Sequence, residues 1–187
     1  MGWSTPKTWA YKEALSSADM NTYVKDNMTA LKALISNGTG LSNDAFASTN
    51  WTVVWTCDVG DAPVIGNGTL TGVYIRIGKY IFFRFTLTAG TTTTFGSGGG
   101  VWHLSLPVAA KAGYIASRSL IGSGLAHDTD TPMDVPCSFY YFTGDKMVIA
   151  PMKADGLNVY HAGCTSAVPF TWATTDTLNG FGFYEAA

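Results

Sequence analysis

The residues of this sequence with the clearest chemical potential are three histidines, the usual side chains for proton transfer and metal binding. His103, His127 and His161 lie far apart along the chain, and no Gly-x-Ser-x-Gly, His-Glu-x-x-His or Walker A motif accompanies them. Catalysis needs a nucleophile beside a base, a pair of carboxylates or a cluster of metal ligands. Because none of these arrangements is recognisable, we expect no catalytic residues and no enzyme activity.

Acidic side chains and cysteines are the other natural metal ligands in the chain. The segment Asp128–Asp134 reads Asp-Thr-Asp-Thr-Pro-Met-Asp, and calcium favours several carboxylates on one flexible loop. The segment lacks the residue order and the terminal glutamate of an EF-hand, so we interpret it as a solvated loop. Cys57, Cys137 and Cys164 are widely separated and form no Cys-x-x-Cys pair, which predicts buried free thiols. The sequence therefore predicts neither a metal site nor a cofactor.

Aromatic side chains in the second half of the chain offer one further chemistry, the binding of sugars. Aromatic rings stack on sugar faces, while nearby hydroxyl, amide and carboxyl groups bond the sugar edges. Trp102, Tyr140 and Trp172 are the candidate glycan contacts. The alternative is that these rings belong to a hydrophobic core, where alternating aromatic residues of strands commonly lie.

The elements that must position these residues are β-strands, because apolar and polar residues alternate from residue 51 onward. Gly78-Lys79 predicts a tight hairpin turn. Two sets of alternating residues each share one face: Trp51, Val53, Trp55 and Cys57, and then Ile81, Phe83, Phe85 and Leu87. About eight short strands without a helical period between them predict a mainly β fold, an antiparallel β-sandwich of jelly-roll type over residues 51–187.

A single α-helix is predicted before the strands, over residues 16–37. Ser16 and Asp19 have the spacing of a capping box, and Asn37-Gly38 can end the helix. The apolar positions are spaced four, three and four residues apart: Val24, Met28, Leu31 and Ile35. This stripe suits packing against the chain's own head and equally suits a coiled-coil seam. We favour a seam between copies, because the linker at 38–50 would let the helix stand apart.

The first fifteen residues show neither strand nor helix periodicity, so residues 1–15 are predicted to form an irregular arm. The arm is rich in side chains that need a surface to cover: Trp3, Pro6, Trp9 and Tyr11. That surface is either the chain's own β domain or a neighbouring subunit.

The composition favours a subunit of an assembly and excludes two classes of partner. Charged residues make up 13% of the chain and hydrophobic residues 47%, which is a thin charge cover for an isolated monomer. The 11 basic and 13 acidic residues give a net charge of -2 without a basic run, so nucleic acid is not expected as a partner. No apolar stretch reaches 18 residues and no signal peptide is recognisable, so neither membrane insertion nor export is expected.

Several segments together resemble one family of proteins, the short minor tail and fibre-type virion proteins of tailed bacteriophages. The opening of those proteins is a tryptophan, a few residues, Ala-Asp-Met/Leu-Asn, a variable triplet, Asp-Asn and Ala-Leu. The segments similar to this opening are Trp3–Trp9, Ser17–Asn27 and Ala30–Ala33. Those similar to the β heads that follow it are Gly66–Gly72, Arg76–Lys79, Pro169–Thr174 and Tyr184-Glu185.

The resemblance implies a virion structural protein, usually a homotrimer, that is made in the bacterial cytoplasm and carries its β head outward on the tail or capsid exterior. It implies that the arm anchors the chain to other virion proteins and that the head attaches to the host surface, with a glycan as possible receptor. The chain lacks a long repetitive shaft, which leaves a short tail tip or fibre. Alternatives are a capsid decoration or head-fibre protein without a receptor role, and a carbohydrate-binding module. A glycan depolymerase would need an acid pair that the sequence does not show.

Overall fold

The computed structural model describes residues 16–36, 47–111, 118–155 and 158–187, together with positions 8, 10, 12, 14 and 113. The chain divides into two compact units, Met1–Ala47 and Ser48–Ala187. The first contains the helix and the second contains every described strand. The predicted head, residues 51–187, lies within the second unit, and residues 38–46 of the predicted linker lie outside the described residues.

The helix begins at the predicted cap. The Ser16 hydroxyl accepts a hydrogen bond from the Asp19 backbone N–H at 3.1 Å and donates one to the Asp19 carboxylate at 2.5 Å. This satisfies one of the free N–H groups of the first turn. The helical segment comprises α1 (Ser17–Asp19), a π-helical stretch (Met20–Lys25) and α2 (Asp26–Ser36).

The π-helical stretch changes the geometry assumed for the apolar stripe. In this stretch the backbone bonds span five residues, as in the bond from the Asp26 N–H to the Asn21 carbonyl. Val24 lies inside it, whereas Met28 and Leu31 lie in α2. Regular α-helical spacing therefore holds from Met28 onward, and the first step of the predicted seam departs from it.

The described residues of the head form a single antiparallel sheet of nine strands, with a tenth strand at its side. The strands are β1 (Thr49–Trp51), β2 (Trp55–Cys57), β3 (Thr69–Ile77), β4 (Tyr80–Thr88), β5 (Trp102–Ser105), β6 (Leu120–Asp128), β7 (Met133–Thr143), β8 (Lys146–Asp155), β9 (Asn158–His161) and β10 (Thr177–Glu185). The strand order is β1-β3-β4-β10-β6-β7-β8-β5-β2, and β9 pairs with β8 outside this path. The predicted class, a mainly β protein with one N-terminal helix and an antiparallel head, is confirmed.

The sheet curls until its two edges meet. β1 and β2 lie at opposite edges of the strand order, yet only residues 52–54 separate them in the chain. Ser105 of β5 joins the edges, because its hydroxyl accepts hydrogen bonds from the Trp51 indole N–H at 3.3 Å and from the Val54 N–H at 2.9 Å. The two layers of the predicted sandwich are thus two halves of one curled sheet.

The core fills the concave side of the sheet. In β4 the predicted inward residues are all buried: Ile81, Phe83, Phe85 and Leu87. Trp51 packs edge-on against Phe83 and Phe85, with ring centroids 6.0 and 6.5 Å apart. A buried aromatic side chain removes 150–250 Å² from water, so these rings supply much of the stabilisation.

A glycine of the central strand β10 lies under the aromatic core. Phe85 and Phe139 meet over Gly180 of β10, with ring centroids 5.2 Å apart. A Cβ atom on Gly180 would lie 2.4 Å from an atom of each ring. Only the missing side chain of glycine leaves room for both rings.

Candidate ligand-binding site

Two of the three predicted glycan contacts belong to the core. Trp102 is 1% exposed and Trp172 is 4% exposed. Their rings are 5.1 Å apart and lie within an interior aromatic cluster that also contains Trp55, Phe95 and Phe170. A ring enclosed on both faces cannot stack on a sugar from solvent, so the structure removes Trp102 and Trp172 from the candidate contacts.

Tyr140, the third predicted contact, lines a cavity on the convex side of the sheet. Strand pairing places Tyr140 of β7 opposite Val148 of β8, and Val148 opposite His103 of β5. The cavity, which we call the Tyr140 pocket, has a volume of about 380 Å³. The lining residues that matter for its chemistry are Asp58, His103, Arg118, Tyr140, Phe142 and Val148.

His103 is the most deeply buried polar residue of this pocket. The residue is 3% exposed, and its ring stacks on Phe142 with centroids 4.4 Å apart and an angle of 16° between planes. Burial lowers the pKa of His103 below the ordinary 6.5; nearby Asp58 opposes this shift, and Lys146 adds to it. The imidazole is therefore neutral at pH 7, and it presents one N–H donor and one nitrogen acceptor.

Two charged residues of opposite sign stand at the rim of the pocket. Asp58 follows β2 and accepts a hydrogen bond from the Val101 N–H at 2.7 Å. Arg118 is anchored to β7 through the backbone: its N–H donates to the Tyr141 carbonyl at 3.2 Å, and the Tyr141 N–H donates to Ser119 at 2.9 Å. The rim thus carries an acceptor and a cation whose charges balance.

The other predicted polar sites are occupied by local hydrogen bonds. Asp128–Asp134 is not a loop but the β6–β7 hairpin, because β7 begins at Met133. The Asp128 carboxylate caps the turn by accepting from the N–H groups of Asp130 and Thr131, both at 3.0 Å, and Asp134 lies 2.8 Å from His127. Within the part of the chain that the structure describes, no three acidic, histidine or cysteine side chains cluster as metal ligands do.

The three cysteines are free. Burial raises the pKa of the Cys137 thiol to about 12 and that of Cys164 well above its ordinary value. Both are therefore protonated and unreactive at neutral pH. Cys57 is half-buried, and its sulfur lies 3.1 Å from the Val59 carbonyl oxygen.

The structure describes only some of the residues that were predicted to take part in assembly. Trp3, Pro6, Trp9 and Tyr11 lie outside the described residues, so their anchoring role stays a prediction. Val24, Met28 and Leu31 are 44, 63 and 41% exposed, and Ile35 lies in α2. The seam between copies also stays a prediction; the side chains of Val24, Met28 and Leu31 have exposed apolar surface that a partner could cover. None of the described helices is long and apolar enough to cross a membrane.

A surface that sequence reasoning missed lies on the convex side of β4 and β10. Phe82, Phe181 and Phe183, which we call the aromatic face, are 45, 63 and 58% exposed. Phe82 and Phe183 are paired across the strands and stack with centroids 5.9 Å apart. The Gly-Phe-Gly-Phe pattern at 180–183 was the available signal, because alternate residues of a strand point to opposite faces and the glycines face the crowded core.

Comparison with known proteins identified no similar protein. No family model matches the chain, and neither a curated protein nor a solved structure is significantly similar to it.

Proposed function

We propose that this chain is a structural subunit of a tailed-phage particle, which self-associates through its helix and presents its β head for attachment to the host surface. The particle role is supported by the resemblance of residues 3–33 to the opening of phage minor tail and fibre-type proteins. The division into a small helical unit and a β head agrees with one part for assembly and one for presentation.

The observation that carries the proposal is the exposed apolar surface. The three phenylalanines of the aromatic face alone present roughly 300 Å² of ring surface, taking about 200 Å² for a whole side chain. The largest apolar patches of proteins begin at about this area and are often functional, so the aromatic face is a candidate contact surface. Met28 adds a second exposed apolar site on the helix. The low charge content of the chain and these exposed apolar side chains together support a role as a subunit of an assembly.

A second candidate function is a carbohydrate-binding module, and the Tyr140 pocket is the observation that favours it. A concave site with aromatic walls and a few polar groups is the usual architecture for small ligands. A carbohydrate-binding module could act without being part of a phage particle. A capsid decoration protein, the other alternative, would use the same apolar surfaces at another position and without a receptor.

Antibody labelling of intact particles tests the phage role directly. Fab fragments raised against the purified head should label the tail tip of particles purified from the phage or lysogen that encodes the chain. Masking every head should also slow adsorption to host cells, because the head would contact the host first. The measurements are electron microscopy and the adsorption rate, with non-immune Fab as the control.

Each result of the labelling decides between the functions. Label on the capsid, with adsorption unchanged, would replace host attachment by capsid decoration. Particles that carry no label and contain no copy of the chain by mass spectrometry would reject the phage role.

The helix seam is tested by charge substitution. We expect the intact chain to sediment as a trimer and the variant Met28→Asp/Leu31→Asp to sediment as a monomer, because each copy would bury two carboxylates without partners. Lys32→Asp is a matched control, since it changes the net charge by the same amount at an exposed helix position. An unchanged trimer in the double variant would move the interface away from the seam, and Phe181→Ser/Phe183→Ser would then test the aromatic face.

A further inference from the structure

We propose that the Tyr140 pocket binds a neutral saccharide, with His103 bonding sugar hydroxyl groups at its floor and aromatic rings packing against the sugar. The inference rests on the proposed attachment role for its biological meaning and names the ligand class of that role. Its physical basis lies entirely within the head.

His103 is the residue that points to a ligand. It is more than nine-tenths buried and lines the pocket, and among the described residues no partner bonds either of its ring nitrogens. Trp55 Nε1 is the one fully enclosed side-chain nitrogen or oxygen without a partner among the described residues, so the unbonded ring nitrogens of His103 are open to the pocket and can bond water or a ligand. The neutral ring offers a donor and an acceptor, and a sugar hydroxyl can serve either.

The walls of the pocket include partly exposed aromatic rings. Tyr140 is partly exposed, and Phe142, which lies against His103, is 42% exposed. Sugars have an apolar C–H face that packs on such rings, while their hydroxyl groups point sideways to polar residues. The two rings and the buried imidazole together provide an apolar surface and hydrogen-bonding groups, which are the two kinds of contact that a sugar needs.

The rim favours an uncharged ligand. One Asp58 oxygen accepts from the Val101 N–H, which leaves the other oxygen to accept from a hydroxyl, and Arg118 can donate to hydroxyl oxygens. An anionic ligand would be attracted by Arg118 and repelled by Asp58. A cationic ligand would be attracted by Asp58 and repelled by Arg118. The volume of about 380 Å³ lies at the low end of the range for small-molecule sites and suits one or two sugar rings.

Binding can be measured on the full chain with simple glycosides as probes. We would use methyl glucoside, methyl galactoside and methyl N-acetylglucosaminide at millimolar concentration, with methyl glucuronide as the charged counterpart. Saturation-transfer NMR should detect at least one neutral glycoside, and the ring signals of His103 should shift on binding.

Variants assign the binding to the pocket. His103→Leu and Tyr140→Ala should each weaken binding about tenfold, since each removes a hydrogen bond or a stacking surface worth roughly that factor. His103→Gln, which keeps a donor and an acceptor, should retain more of the affinity. Phe181→Ala, on the aromatic face, is the control and should bind as the unaltered chain does. Circular dichroism checks that each variant is folded.

The pH dependence supplies an independent readout. Protonation of His103 removes its acceptor, so affinity should fall as the pH drops through the pKa of His103, which burial lowers below the ordinary value, and this loss should disappear in His103→Leu.

The inference is overturned if no neutral glycoside binds, if the glucuronide binds as tightly as its neutral counterpart, or if His103→Leu and Tyr140→Ala bind unchanged. Failure here with heads labelled at the tail tip leaves the phage role intact. Glycoside binding together with particles that lack the chain would instead establish the carbohydrate-binding module.

Discussion

Replacement of Asp176 by alanine should lower the free energy of unfolding by about 3 kcal/mol or more, because it leaves buried donors without an acceptor. Asp176 is completely buried. One carboxylate oxygen accepts from the N–H and hydroxyl of Thr129, at 2.9 and 3.1 Å, and the other accepts from the Ala173 N–H at 2.7 Å. The side chain thereby ties the β6–β7 turn to the segment that leads into β10.

Urea unfolding of the purified chain measures this loss. Asp176→Asn should lose less, because its carbonyl oxygen still accepts from Thr129 while its NH₂ group faces a donor. Asp130→Ala is the matched control, an aspartate in the same turn that is exposed. A stability of Asp176→Ala within about 0.5 kcal/mol of the unaltered chain, the usual range of surface substitutions, would show that the carboxylate does not hold the turn.

Replacement of Gly180 by alanine should destabilise the head by about 2–3 kcal/mol, the cost of forcing a methyl group into a packed core. The new Cβ would lie 2.4 Å from atoms of Phe85 and Phe139, so at least one ring must move. Thermal or urea unfolding measures the change.

A second substitution tests the cause. Phe139→Leu shortens one of the two rings, so the variant Gly180→Ala/Phe139→Leu should lose less stability than the sum of the two single losses. Additive losses would mean that the rings are not what Gly180 accommodates.

The parts of the fold that could be predicted are those in which local pattern and tertiary environment agree. In β4 the residues at 81, 83, 85 and 87 are apolar and buried, whereas those at 80, 82, 84 and 86 are exposed, so the alternation predicted both the strand and its inward face. Ser16 and Asp19 carry a cap whose chemistry is complete within four residues. Such local patterns predict a strand or a helix cap without information on the elements that pack beside it.

The pairing of the strands could not be predicted, because it depends on partners distant in sequence. Trp51 to Cys57 shows one alternating pattern, and the burial of Trp51, Val53 and Trp55 follows it. Yet the segment forms two strands that pair at opposite edges of the sheet. Alternation indicates which side chains face inward but not which strand lies beside them.

For a similar reason, the sequence predicted only part of the candidate ligand-binding site. Trp102, His103 and Leu104 are all buried, since β5 is covered on both faces, so alternation could not separate core from pocket. Phe181 and Phe183 face outward, against the general preference of phenylalanine for the interior, because the adjacent inward positions 180 and 182 of β10 are glycines. The π-helical stretch at Met20–Lys25 has no signal in its sequence that we can identify.

The place of β10 in the sheet governs how the head can be made. β10 follows the other described strands in the sequence, yet it lies in the middle of the strand order, between β4 and β6. It pairs with β4 over residues 177–185 and with β6 over residues 177–182. On a ribosome, the strands from β1 to β9 emerge first as two groups that share no continuous ladder until residues 177–185 appear. The nascent head therefore stays open until residues 177–185 have been translated. During that interval the unpaired edges of β4 and β6 and their apolar side chains are exposed to other nascent chains, which favours aggregation during synthesis.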